Sequence, residues 1–474
     1  MSEQGFSRRA FLRGIAGATG AAAAPLAMNL AAMGTAAAAG ASDYKALICL
    51  YMVGGNDHYN TLLATDPESW SEYQRLRDTD DTQSIALRGP GLSSGILPIA
   101  PAATQAGRTF GVHPQLGALK TLFDAGRAAA VANVGTLLQP MTRAQYLNGS
   151  VPTPPKLFSH NDQQAVWLSS HAEGGRVGWG GRMGDLLASN NASSAFTCIS
   201  AAGNTVLLSG RTVRQFQVDA AGAVPIVGIG GRVLAANAPF RDIVAGSQGN
   251  LLQAAHASVT NRAIDLQTTL AGAIVPAGSG GIPNPTNYIS PYTGAPAVNP
   301  VAVQLQTVAR LIAGRNTLGM KRQVFFVNMG TFDTHDNQTK RHAELLARLG
   351  HALTYFDNTM GNVMGANLRQ QVTLFTASDF GRTLTSNGDG TDHGWGSHHF
   401  IVGGAVKGRN IYGQFPVIGL NHANDIGQGA LLPSISVDQY GATLGRWFGL
   451  SDSELLDVFP NLANFSIRNL GFMA

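Results

Sequence analysis

Ala46-Leu47-Ile48-Cys49-Leu50-Tyr51-Met52-Val53, followed at once by Gly54-Gly55-Asn56-Asp57-His58, decides the architecture. The first eight residues are apolar without alternation. That is the pattern of a strand buried on both faces, and so of a sheet with helices on each side. Two glycines after such a strand let the backbone turn sharply and approach a ligand closely. Asp57 then reads either as a metal ligand or as the N-cap of the next helical turn. Neither Gly-x-x-x-x-Gly-Lys-Ser/Thr nor Gly-x-Gly-x-x-Gly follows, which argues against a phosphate-cradling nucleotide loop.

Working outward, further strand-like runs lie at 128–134, 196–200, 206–209, 323–327, 372–376 and 400–402. Helical spacing marks 116–125, 163–170, 251–270, 301–312, 337–359 and 437–448. Strands alternating with helices of this length predict an α/β fold: a doubly wound, mostly parallel sheet flanked by helices on both faces. Ligands in such sheets bind beyond the carboxyl ends of the strands. The Gly/Pro/Asn-rich stretch 276–300 is the candidate mobile loop, and 210–300 the candidate cap or insertion.

The N-terminus reads as an address. Ser7-Arg8-Arg9-Ala10-Phe11-Leu12 is a twin-arginine signature, a weakly apolar Ala/Gly stretch follows, and Ala39-Gly40-Ala41 offers a cleavage site. Residues 1–41 are therefore expected to be a signal peptide handled by the twin-arginine export machinery. Residues 42–474 are expected to form one periplasmic or secreted domain without a transmembrane segment. No later run reaches the length of about 18 apolar residues that a span needs. The formal charge of +4 is small and no basic block stands out, so nucleic-acid binding has no support. Cys49 and Cys198 sit in apolar runs and read as buried free thiols, with pairing open in an oxidising compartment.

Four further motifs carry candidate chemistry. In Phe158-Ser159-His160-Asn161-Asp162, Ser159 precedes a helix and is either its N-cap or a hydroxyl nucleophile stabilised by the helix dipole. His160 stands beside it as a supporting group. In Phe332-Asp333-Thr334-His335, carboxylate and imidazole follow a strand and precede a helix whose stripe runs through Leu345, Leu346, Leu349, Leu353 and Phe356. His342 and His351 read as surface residues of that helix. Ser378-Asp379-Phe380-Gly381-Arg382 offers a carboxylate ligand and an anion clamp, or a plain ion pair. Asp392-His393-Gly394 with His398-His399 places three of the twelve histidines within seven residues. Carboxylates with imidazoles suit zinc, manganese, magnesium or calcium, and several strand ends must share one shell.

With Val112-His113-Pro114 and Gly403-Gly404 added, these motifs in this order resemble the DUF1501 family over nearly all of the chain from Lys45. That family is similar to the alkaline phosphatase, sulfatase and cofactor-independent phosphoglycerate mutase superfamily. The resemblance implies an alkaline-phosphatase-like fold with Asp57, Asp333, His335, Asp379, His393 and His399 as candidate ligands of one or two divalent ions. It implies Ser159, Arg382 and His160 as catalytic groups. The chain departs from the superfamily pattern in two places. Asp333 and His335 are two apart rather than four, and Phe380 stands where a histidine is usual. The sulfatase pattern Cys/Ser-x-Pro-x-Arg is absent around Ser159 and Cys198.

The expectation is thus an exported metal-dependent hydrolase of a small anionic ester, phosphate before sulfate. Two alternatives stand beside it. One is a catalytically degenerate member acting as a binding or assembly protein at the cell surface. The other is a metal-free hydrolase using Ser159 with His160 or His393.

Overall fold

The computed structural model describes residues 41–79, 83–224, 246 and 250–474. The expected signal peptide lies outside the described residues apart from Ala41, and so does much of the expected cap, at 225–245 and 247–249.

The apolar run forms strand β1 (Lys45–Met52), and it is central. The other sheet strands, in chain order, are β2 (Ala128–Gly135), β3 (Cys198–Ser200), β4 (Phe216–Asp219), β5 (Gly222–Ala223), β6 (Arg322–Met329), β7 (Val372–Ser378) and β8 (Ser397–Val402). With β9 (Ile411–Tyr412) they run β9-β2-β8-β7-β1-β6-β3-β4-β5, and β10 (Ile435–Ser436) also pairs with β2. β6 and β7 flank β1, both parallel to it, with Lys45 opposite Arg322 and Met52 opposite both Met329 and Ser378. β8 is antiparallel to β7 and to β2. The sheet is therefore largely parallel with one reversed interior strand.

Alternation along β1 builds two cores. Ala46, Ile48, Leu50 and Met52 join one face, and Leu47, Cys49 and Tyr51 the other. The first face is covered by α1 (Gly117–Asp124), α2 (Pro300–Ala313) and α3 (Gln338–Met360). The second is covered by α4 (His160–Ser169), α5 (Trp179–Leu187) and α6 (Val437–Phe448). Helices on both faces follow from the residues: Leu345, Leu346, Leu349, Leu353 and Phe356 of α3 repeat every three or four positions and are buried. Each such side chain contributes about 1.5–3 kcal/mol by leaving water.

Several expectations are corrected. Residues 206–209 are not a strand: Val206–Leu208 is a 3-10 turn, capped by the Thr205 hydroxyl on Leu207 N and packed on α5. Helix α5 packs through Gly180, Gly181 and Gly184, where any Cβ would strike Leu207, Ser209 or Cys198. His342 is buried at 1% exposure rather than on the helix surface, with Nε2 3.0 Å from Asn56 Oδ1. The 276–300 stretch contains a short hairpin, Tyr288–Ile289 with Pro296–Ala297, whose Tyr288 and Ser290 hydroxyls both donate to Glu344 of α3. Within 210–300, β4 and β5 extend the main sheet. Both cysteines are buried free thiols. Among the described residues, no helix is long and apolar enough to cross a membrane.

The topology gathers the motifs. The loops after β1, β6 and β7 leave one edge of the sheet. Because β8 is reversed, the loop that precedes it arrives at the same edge. The N-terminus of α4 meets them there through His160, which contacts the loops after β6 and β7.

Candidate metal centre

Gly54 and Gly55 allow the crowding at this edge. Both have positive φ, 110° and 84°. A Cβ on Gly54 would lie 2.5 Å from Asp333 N, and one on Gly55 2.4 Å from the Phe380 ring. Glycine is the residue that lets the β1 turn and the β6 loop pack together.

Asp333 is the hub. His160 Nε2 lies 3.3 Å from its Oδ2, and His335 Nε2 and His393 Nε2 lie 3.0 and 3.2 Å from its Oδ1. His335 Nε2 and His393 Nε2 are 2.9 Å apart. Ligand atoms of His160, Asp333 and His393 fall within 4.8 Å of one another, and all three residues are half-buried. A tetrahedral shell with bonds of about 2.0–2.1 Å has ligand–ligand edges of about 3.3 Å. The observed spacings of 2.9–3.3 Å match such edges and are hydrogen-bond distances as well.

The opposite ring nitrogens explain the tautomers. His160 Nδ1 is 2.8 Å from Asp379 Oδ2, and His393 Nδ1 is 2.7 Å from Phe158 O. A carboxylate and a carbonyl can only accept, so each Nδ1 carries a proton, and Nε2 is the nitrogen that each ring turns toward Asp333. His335 Nδ1 faces Asp392 Oδ1 at 3.4 Å in the same sense. Metal-binding histidines are oriented in this way, by an oxygen acceptor on the far nitrogen. The Phe380 ring packs against His160 and His393, with centroids 4.9 and 4.5 Å away. Where a histidine was expected, a phenyl wall fixes two others.

Charge at the hub is set by Arg382. Burial pushes the Asp333 carboxyl up, but the Arg382 guanidinium outweighs it and holds the group below the usual carboxylate range. The hydrogen bond to Asp379 raises His160, whereas burial lowers His393. Arg382 is 0% exposed and donates to Gly54 O, Gly55 O, Thr391 O and Asp333. Four of its five N–H groups are thus directed inside the protein rather than arranged as a free anion clamp.

Other expected residues lie elsewhere. Asp57 caps a 3-10 turn by accepting from Tyr59 N and forms a two-pronged pair with Arg77, at 2.5 and 2.9 Å. Gln338 Nε2 donates to the same carboxylate at 2.6 Å. Burial opposes ionisation of Asp57, yet Arg77 lowers its pKa overall. With both oxygens so taken, Asp57 does not join the cluster. Asp379 is buried and turned to His160, to Gly54 N at 3.1 Å and to Gln164 Nε2 at 3.4 Å, so it supports a histidine rather than facing Asp333. His399 is fully buried within β8, its ring 5.2 Å from that of Trp167, and is not brought to the edge. Ser159 occupies the N-cap position of α4 without a capping bond, and its hydroxyl donates to Asp162 Oδ2 at 2.7 Å.

One contribution had no local signal. Arg77 ends a helix, Pro67–Arg77, that charge and polarity hid, and its pairing with Asp57 needs the folded chain. His160 was legible as a site residue, but its Nε2 belongs to the cluster itself.

Residues 44–459 match the profile of a family described as Protein of unknown function (DUF1501). No curated protein matches the chain. Among solved structures it is similar to the crystal structure of Ps i-CgsB in complex with k-i-k-neocarrahexaose, at 8% identity and a TM-score of 0.37, over 90% of this chain and 78% of that one. It is also similar to BT33494S-sulf, described under metabolism of multiple glycosaminoglycans by Bacteroides thetaiotaomicron, at 8% identity and a TM-score of 0.34, over 87% and 74%. Likenesses this distant carry no argument about the chemistry of this chain.

Proposed function

The chain belongs to the DUF1501 family, and we propose that it is an exported, metal-dependent hydrolase of a phosphate ester built on an alkaline-phosphatase-like fold. The observation that carries the reading is the convergence of imidazole Nε2 atoms on Asp333, with Nδ1 of His160 and of His393 each pinned by an oxygen acceptor. His160, Asp333 and His393 would hold a divalent ion, with His335 as a fourth donor.

Such an ion supplies a Lewis acid for the ester oxygens and lowers the pKa of a hydroxyl or water beside it. The chain's own residues do the rest. Asp379 and Phe158 O keep the imidazole protons at Nδ1. Arg382 keeps Asp333 ionised. Ser159 is the proposed nucleophile: as Oγ bonds to phosphorus and the ester P–O bond breaks, its proton passes to Asp162, to which it already donates, and the departing alkoxide takes a proton from water and leaves as the alcohol. Its place at the N-terminus of α4 favours the negative charge that develops there. Water then hydrolyses the phosphoserine.

The test is hydrolysis of phosphate mono- and diesters by the mature protein before and after chelation. Turnover should vanish on chelation, return with the metal, and be absent in Ser159→Ala. Hydrolysis unchanged in the metal-free protein would contradict the proposal. One observation favours a second reading, a binding or assembly protein of the cell surface: Arg382 is buried and directs four of its N–H donors into the fold. Metal-loaded protein inert toward phosphate and sulfate esters alike would give that reading the lead.

A further inference from the structure

A cavity of ≈ 440 Å³ opens beside the candidate centre, between the N-terminal turns of α4 and the ends of β1 and β6. Its size is that of a small-molecule site, about 300–1,000 Å³. The two sites share a wall: Gln164 lines the cavity and donates to Asp379, which in turn holds His160. Asn161, the neighbour of His160, lines it too.

Its chemistry differs from that of the centre. Four carboxamides, Asn161, Gln164, Asn204 and Asn328, line it together with Thr205 and Glu173. Among the described residues no lysine, arginine or histidine lines it, and its one carboxylate, Glu173, is paired with Lys156 at 3.7 Å. Phe326 and Tyr51 also line it, with ring centroids 6.1 Å apart. A carboxamide both donates and accepts, as does a hydroxyl. The Phe326 and Tyr51 rings, 4% and 1% exposed, give the cavity an apolar floor. An anion would find no cationic side chain among the described lining residues.

We propose that this cavity binds a neutral, hydroxyl-rich unit, a sugar or cyclitol ring, which forms the leaving-group side of the substrate. The proposal rests on the hydrolase reading for the word substrate, and on the cavity alone for the ligand's chemistry. Asn204 already accepts from Gln215 and Gln217 through Oδ1, so its N–H pair serves the ligand as donors. Asn328 is held through its backbone by Gln304, which leaves its carboxamide for recognition.

Calorimetric titration of the mature, metal-loaded protein with cellobiose, lactose and myo-inositol, and with glucuronate as the anionic counterpart, tests the assignment. At least one neutral probe should bind, more tightly than glucuronate. Its affinity should fall about tenfold or more in Asn328→Leu and, separately, in the surface variant Asn161→Leu. Metal content, measured on the same samples, should not change. Failure of all neutral probes to bind, equal affinity in both variants, or tighter binding of glucuronate would overturn the proposal. Sugar binding by protein that takes up no metal would sink the metal reading and leave the cavity assignment standing.

Discussion

His160 Nδ1 donates to Asp379 Oδ2 across 2.8 Å, and this one bond fixes which nitrogen of His160 faces Asp333. Asp379 thereby acts on the centre at one remove. Asp379→Asn keeps the shape but can present its N–H pair to Nδ1 and release the tautomer. Metal affinity should fall about 10–100-fold, read by competition with a chromogenic chelator, while the thermal midpoint changes little. Unchanged affinity would show that the bond does not orient a ligand.

The Asp57–Arg77 pair should behave in the opposite way. Both side chains are 0% exposed, and removing one partner strands a buried charge. Asp57→Ala should cost about 3–5 kcal/mol in urea unfolding. Any folded fraction should bind metal as the wild type does. Loss of metal without loss of stability would return Asp57 to the ligand set.

Acid should unfold the protein well before its carboxylates titrate. Burial lowers His58 and His113 well below the usual imidazole value of 6.5, His342 to about 4, and His398 and His399 to about 3. The unfolded chain takes up these protons near pH 6.5 and the folded chain resists them. Their contribution is therefore complete above pH 6.5 and drains away as pH falls toward 4 and 3, at up to about 1.4 kcal/mol per unit for each group. Asp438, raised to about 6 by burial, works the other way over part of that window, but it is one group against five. Urea midpoints at pH 7.5, 6, 5 and 4 should fall steeply, and less steeply in His399→Phe. A flat profile would contradict the burial of these rings as neutral groups.

Much of this was legible in the sequence. The β1 run and its two glycines gave the buried parallel strand and the turn. The periodic stripe of Gln338–Met360 gave the long helix. What stayed hidden depends on contacts between distant segments. Nothing near Asp57 announces Arg77, twenty residues on, or Gln338, nearly three hundred on. His393 looked out of place because its loop precedes a strand. Only the antiparallel register of that strand, with His399 opposite Val131, returns the loop to the common edge. The same register turns the neighbouring His399 into the core, so two histidines six residues apart have different fates.

The central claim is that Asp333, His160 and His393 hold a divalent ion. Metal analysis by mass spectrometry of the exported, mature protein tests it most directly, with Asp333→Ala, His393→Ala and His399→Phe alongside. The account predicts about one ion per folded chain, lost in the first two variants and kept in the third. A folded wild type that binds no zinc, manganese, magnesium or calcium, or variants at Asp333 and His393 that bind as it does, would contradict it.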